Sequence, residues 1–206
     1  SVDTKKKELI GDFKNQGREY RPKGEPIETS AYDFPSLSEG KAIPYGIYDV
    51  GENAGWVSVG IDKDTAMFAV NSIKSWWYKM GHTQYGDASD LFITADNGGS
   101  NGSKNRLWKK CLQDFADETG LRITMCHFPP GTSKWNKIEH RLFSFITMNW
   151  RGHQLTSLQA VINLINSVKT KKGLTVQAEL DQNSYEKGVK VSEEQMQKIN
   201  IHRHEF

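Results

Sequence analysis

The sequence has little cysteine, no long apolar run and almost no net charge. Two cysteines, Cys111 and Cys126, are too few for a disulfide framework or a zinc ribbon. They fit a reducing, cytoplasmic setting and are expected as buried thiols. Uninterrupted apolar runs are only a few residues long, far short of the roughly 20 that a membrane span needs. No basic-then-apolar segment of the secretory kind opens the chain. Its 27 basic and 25 acidic side chains leave a formal charge of +2. The 206 residues suffice for one domain with a real core, or for a domain plus an extension. An aromatic content of 11%, with six Trp, argues against disorder. The chain opens Ser-Val-Asp without an initiating Met, and Val2 and Asp3 read as the inside of a strand. A piece of a longer protein, cut within or just before its first strand, is the expectation.

The near-neutral total hides an uneven distribution. Residues 1–24 carry seven basic and four acidic side chains, and residues 97–153 carry nine and four. Between them, residues 25–96 carry four basic and eleven acidic. Such a pattern can produce a basic face, although on charge alone a solvated surface of mixed charge is the preferred reading.

Alternation and helical spacing predict a strand at 1–4, an irregular stretch over 5–42, and a hairpin of strands at 43–50 and 56–62. A helix follows over 65–80, capped by Asp64 and ended by Gly81. A short strand at 91–93 leads through a Gly-rich loop to Ser103, the expected cap of a helix that Gly120 stops. Leu121, Ile123 and Met125 alternate as a strand. After Pro129-Pro130-Gly131 a third helix is predicted over 133–150, with Trp135, Ile138, Leu142, Phe145 and Ile146 on its inner face. Thr156 and Gln159 form a possible capping box for a further helix; a strand follows at 174–180, and Ser192 and Gln195 repeat the box near the end. Strands first, then alternating strands and helices, predict an α/β fold: a mixed five-stranded sheet with helices on both faces and a C-terminal α/β extension. The order is compatible with a ribonuclease H-like fold and with other α/β folds. The expected division is a core at 1–153 and an extension packed on it at 154–206.

Three carboxylates sit where chemistry can use them. Asp3 is on the first strand, Asp96 at the carboxyl end of a later strand, and Glu139 on the third helix, 93 and then 43 residues apart. Hard oxygen ligands suit a pair of Mg²⁺ ions, and two ions can clamp the attacking and leaving oxygens of a phosphodiester. Each residue also has a plainer reading: Asp3 as a strand-edge acid, Asp96 as a turn residue, Glu139 as a snorkelling or ion-paired side chain. The loop at Gly98, Gly99 and Asn101 precedes a helix start, where backbone N–H groups can meet a phosphate, or is a simple turn. Lys5, Lys134, Lys137 and Arg141 can hold phosphates or merely face solvent. His127 reads as structural, His140 as an exposed neighbour of Glu139, and Trp76 and Trp77 as core. His202 and His204 lack the further ligands of a zinc site.

The motifs resemble a family. Ile93-Thr94-Ala95-Asp96-Asn97-Gly98-Gly99 resembles the second-aspartate motif of DDE transposases and retroviral-type integrases. The segment from Phe128 to Glu139, FPPGTSKWNKIE, is similar to the third motif of mariner-like transposases, with Lys137 in place of the usual Pro. With Val-Asp-Thr-Lys-Lys at 2–6 and Gly-Ser-Asn-Gly at 99–102, the set resembles the bacterial insertion-sequence transposases of the Rhodopirellula type, over essentially the whole chain. The resemblance implies a ribonuclease H-like core that cuts and joins DNA at transposon ends with two Mg²⁺ ions, for which Mn²⁺ can substitute. It places Asp3, Asp96 and Glu139 at the D, D and E positions. It further implies transposon-end and target DNA as partners, homo-oligomers on DNA, a cytoplasmic, nucleoid-associated location, and an N-terminal DNA-binding region outside this chain. The alternatives are a metal-dependent nuclease or resolvase that cuts without joining, and a non-catalytic DNA-binding remnant.

Overall fold

The first strand, β1 (Val2–Thr4), is three residues long yet lies inside the sheet, antiparallel to β3 (Gly40–Asp49) and parallel to β5 (Asp90–Ala95). The structure is a computed structural model describing residues 1–30 and 38–204. The part of the predicted irregular stretch that falls at 31–37 lies outside the described residues. β3 forms the expected hairpin with β4 (Ala54–Gly60), and β5 pairs in parallel with β6 (Arg122–His127). The sheet is mixed, as predicted, but has seven strands. One addition is β2 (Glu8–Ile10), which pairs with the start of β3 inside the stretch expected to be irregular. The other is β7 (Thr175–Asp181), the strand predicted in the C-terminal segment, which pairs in parallel with β4. The order is β6-β5-β1-β3-β4-β7, with β2 beside β3.

Helices cover both faces. One face carries Val2, Tyr45, Ile47, Trp56, Ile93 and Ala95 under α1 (Ala66–Trp76) and α3 (Arg106–Thr119). The other carries Ala42, Tyr48, Val57, Val59, Val176 and Ala178 under α4 (Ser144–Trp150) and α5 (Leu158–Asn166). Alternation along each strand separates the two cores. No helix among the described residues is long and apolar enough to cross a membrane.

Several helix ends differ from the sequence reading for local reasons. Thr65, not Asp64, caps α1, accepting from the Phe68 N–H; Asp64 instead accepts from Thr4 and pairs with Lys7. Gly81 does not end that helix, because the chain passes through a π-helical turn (Trp77–Gly81) into α2 (His82–Gln84). Asn105 rather than Ser103 caps α3, and Ser157 rather than Thr156 caps α5. The box of Ser192 and Gln195 forms as predicted and starts α6 (Glu193–Gln197). Cys111 is half-buried and Cys126 is exposed, contrary to expectation, since β6 is an edge strand.

The predicted helix over 133–150 is broken into pieces. A 3₁₀ turn (Ser133–Trp135) comes first, then a π-helical turn (Glu139–Phe143) that runs into α4. Trp135 is consequently 51% exposed rather than on the inner face. Two glycines of the sheet seat this segment. A Cβ on Gly46 would lie 2.5 Å from a Phe143 ring carbon, and one on Gly55 would lie 2.6 Å from Leu142 Cδ1. Only residues without side chains let the turn approach the strands so closely.

Candidate active site

Val2 is buried in the α1–α3 core, so alternation turns Asp3 to the opposite face. Asp3 stands across from Gly46 in the antiparallel register, and directly opposite residues share a face. Asp3 therefore emerges beside the gap that receives Phe143. The parallel pair of Val2 with Ala95 brings Asp96, one residue beyond, next to Asp3. Ala95 is fully buried on the α1–α3 side, so Asp96 follows the alternation toward the side of Asp3.

The third motif closes over this pair. Asn136 donates from Nδ2 to Asp3 Oδ2 at 2.8 Å, and the Thr4 N–H donates to Asp3 Oδ1 at 2.7 Å. Asn136 is only 2% exposed, and its Oδ1 accepts from the Ser1 hydroxyl at 2.9 Å. One buried amide thus ties β1 to the segment that carries Glu139. Glu139 opens the π-helical turn, its carbonyl accepting from the Ser144 N–H.

The electrostatics follow from three acids in a partly desolvated place. Burial, then the Asp96 charge, push the Asp3 carboxyl up to about 7, with a smaller contribution from Glu139. Burial also raises Glu139, opposed by Lys5 and His140. The donor chemistry fits a divalent cation, since carboxylate oxygens are its preferred ligands and their mutual repulsion is what such an ion relieves. The fit is incomplete in this conformation: among the described residues no three His, Cys, Asp or Glu side chains are grouped so as to hold a metal ion. Asp3 and Asp96 lie together, and Glu139 is within electrostatic reach of both without joining them as a third ligand.

The remaining candidates divide. Lys134, Lys137, His140 and Arg141 are exposed on the segment that carries Glu139, and none forms an ion pair with a described residue. Gly98 and Gly99 are exposed, and the Gly98 N–H donates to Asp96 Oδ1 at 3.2 Å. Lys5 is buried instead of free: it is 7% exposed, pairs with Glu8 at 3.4 Å and lies 4.2 Å over the Trp150 ring. Asn101 is likewise buried, accepting from the Tyr45 hydroxyl at 2.7 Å, while its carbonyl lies 2.7 Å from a His127 ring nitrogen. Asn105 occupies the first N–H groups of α3, so the loop of residues 98–102 does not open onto a bare helix start. His127 is structural and His140 exposed, as read from the sequence.

Sequence reasoning did not single out Asn136 or Gly46. Asn136 lies three residues before Glu139, one helical turn away, between exposed lysines; a polar residue at a position with inward-facing neighbours was the available signal. Gly46 carries no such signal, because its role depends on a helix nearly a hundred residues downstream.

Comparison with known proteins bears on the fold and the family. No curated protein matches the chain. Among solved structures, a Mos1 transposase in a paired-end complex with the left transposon end is similar, with a TM-score of 0.53 at 11% identity. The likeness covers 78% of this chain and 44% of that one, and it shows the shared ribonuclease H-like fold. The family model described as the Rhodopirellula transposase DDE domain matches residues 1–206, and the chain belongs to that family.

Proposed function

We propose that this chain is a transposase catalytic domain that cleaves DNA at transposon ends and joins the ends to target DNA, with Asp3, Asp96 and Glu139 as its catalytic carboxylates. The observation that carries the reading is that Asp3 lies on β1 and Asp96 just past the end of the adjacent β5, with the third motif bonded to Asp3 through Asn136. Asp3, Asp96 and Glu139 would be the residues that hold the divalent ions. Mg²⁺, or Mn²⁺ in its place, would supply Lewis-acid activation of the attacking oxygen and stabilisation of the leaving one.

The chain's own residues do the rest. Asn136 and the Thr4 N–H fix both oxygens of Asp3, which holds its carboxylate in one orientation. The Gly98 N–H holds one oxygen of Asp96. Lys134, Lys137 and Arg141 lie exposed along the same segment as Glu139 and receive the phosphates on either side of the scissile one. Direct phosphoryl transfer needs no covalent intermediate, so no Ser, Tyr or Cys nucleophile takes part. Homo-oligomers on DNA belong to the same proposal, in line with the paired-end complex described for the Mos1 transposase. The division into a core at 1–153 and an extension at 154–206 is part of the same proposal.

The test is nicking and strand transfer of transposon-end DNA during Mg²⁺ and Mn²⁺ titrations, comparing the parent with Glu139→Gln. The variant is expected to keep its fold and lose both reactions. Equal activity of variant and parent in Mn²⁺ refutes the assignment. Nicking without transfer of a pre-cut end identifies a nuclease instead, and absence of both cation binding and cleavage identifies a non-catalytic remnant.

A further inference from the structure

We propose that Trp135 is a stacking platform for an unpaired nucleobase of DNA, next to the strand end on which the carboxylates act. The inference rests on the transposase reading and adds the kind of DNA structure the site selects.

Five of the six Trp are 6% exposed or less, whereas Trp135 is 51% exposed. Leaving half an indole in water forfeits the burial that the other five achieve. The ring is not at the end of a loose loop. The Trp135 N–H donates to the Thr132 carbonyl at 2.8 Å, and the Thr132 hydroxyl donates to the Pro129 carbonyl at 2.6 Å. The next residue is the buried Asn136, whose amide holds Asp3. The backbone that carries the indole is therefore tied to Asp3 through its next residue, and it lies four residues before Glu139.

Its surroundings define the partner. Lys134, Lys137 and Arg141 are exposed and form no ion pair with a described residue, so their charge is available to phosphates. An exposed aromatic ring among unpaired cations is the combination that binds single-stranded nucleic acid: cations follow the backbone and the ring takes the face of a base. Inside a duplex both faces of each base are occupied by its neighbours. An unpaired base offers a face that can turn to Trp135, whereas the bases of a terminal pair stay held by their partners and by the stack beneath them. Given the tie to Asp3 and the short separation from Glu139 along the chain, that base belongs to a nucleotide flanking the phosphate at the carboxylates.

The experiment compares the parent with Trp135→Ala, Trp135→Phe and Lys134→Ala/Lys137→Ala. Binding is measured by fluorescence anisotropy on two labelled DNAs of the same sequence, one flush and one with a short single-stranded 3′ end. EDTA is present, so only binding is read. Trp135→Ala is expected to weaken binding of the single-stranded-end DNA by about 5- to 150-fold and of the flush DNA by less than about twofold, as for loss of one base–aromatic stack. Trp135→Phe retains most of the preference, and the double lysine variant loses affinity for both DNAs. In the parent, the single-stranded-end DNA protects a tryptophan from iodide quenching, and Trp135→Ala lacks that accessible tryptophan. Unchanged binding by Trp135→Ala, or an equal loss on both DNAs, overturns the stacking role while leaving the transposase reading in place. If the parent binds neither DNA, both readings fall.

Discussion

Gly46→Ala should displace the turn that carries Glu139. The new methyl group would lie 2.5 and 2.9 Å from two Phe143 ring carbons and 3.0 Å from Ile138 Cδ1. Carbon atoms rest about 3.5–4.0 Å apart, so the ring must retreat by about 1 Å. Phe143 and Ile138 are 3% and 0% exposed, which leaves no open space to retreat into without moving the turn. Overpacking of this kind costs about 1–3 kcal/mol. For a chain of 206 residues that is a fall in Tm of about 2–12 °C. Because Gly46 stands opposite Asp3, the same shift changes the distance from Glu139 to the aspartates. A misplacement of about 1 Å near reacting groups costs on the order of 100-fold in rate. Thermal unfolding and Mn²⁺-dependent nicking read the two effects. Phe143→Leu removes the two ring atoms that clash, so the double variant should recover stability relative to the sum of the single changes by about 0.5–3 kcal/mol. A Gly46→Ala protein with the parent Tm, or strict additivity with Phe143→Leu, refutes the close-approach argument.

Asp3→Asn should stabilise the cation-free protein at high pH. The folded state holds the Asp3 proton up to about pH 7 against 3.8 for the free group, so the penalty is absent below pH 3.8, grows between the two values and is constant above the higher. The gain from Asn should follow the same course, reaching at most about 4 kcal/mol above pH 7; denaturant melts at pH 4 and pH 8 with no pH dependence in the gain would contradict it. Lys5→Met should lower stability by about 1–2 kcal/mol through the lost contact with Trp150 and Glu8, yet leave the salt dependence of DNA binding unchanged. Lys137→Ala should instead reduce the slope of log K against log salt by about 0.9 and leave Tm alone. A reduced slope for Lys5→Met would mean that its ammonium reaches phosphate after all.

Most of the architecture was legible because alternation and helical spacing are local. The hairpin of β3 and β4, the helix bounded by Gly120 and the strand at β7 follow from residues a few positions apart. The order of motifs pointed to Asp3, Asp96 and Glu139, and the pairing of β1 with β5 brings the first two together. What escaped the sequence depends on distant partners. Nothing near Glu8 announces that β2 will pair with the start of β3. Lys5 and Asn101 look like surface residues until Trp150 and Tyr45 arrive from elsewhere in the chain. The caps moved by one or two residues because adjacent Asp and Thr, Ser and Asn, or Thr and Ser compete for the same N–H groups, and the packing of each helix decides between them. The break at Trp135 escaped because 3₁₀ and π-helical turns share the apolar spacing of an ordinary helix over so short a span.

The π-helical turn at Glu139–Phe143 gives the helix one residue more than a regular turn would use. In an α-helix each residue advances the azimuth by about 100°. Absorbing the surplus residue would therefore swing Glu139 around the axis by about that angle, while Ile146 and Trp150 stay locked in their core. The turn is a phase adjuster between two packed halves: one carries Ile146 and Trp150, the other Ile138 with the half-buried Glu139 beside it. A one-residue deletion at the exposed His140 or Arg141 would erase the adjustment and put the buried Ile138 out of phase with Ile146 and Trp150, so insertion and deletion register matters here more than the identity of the exposed side chains.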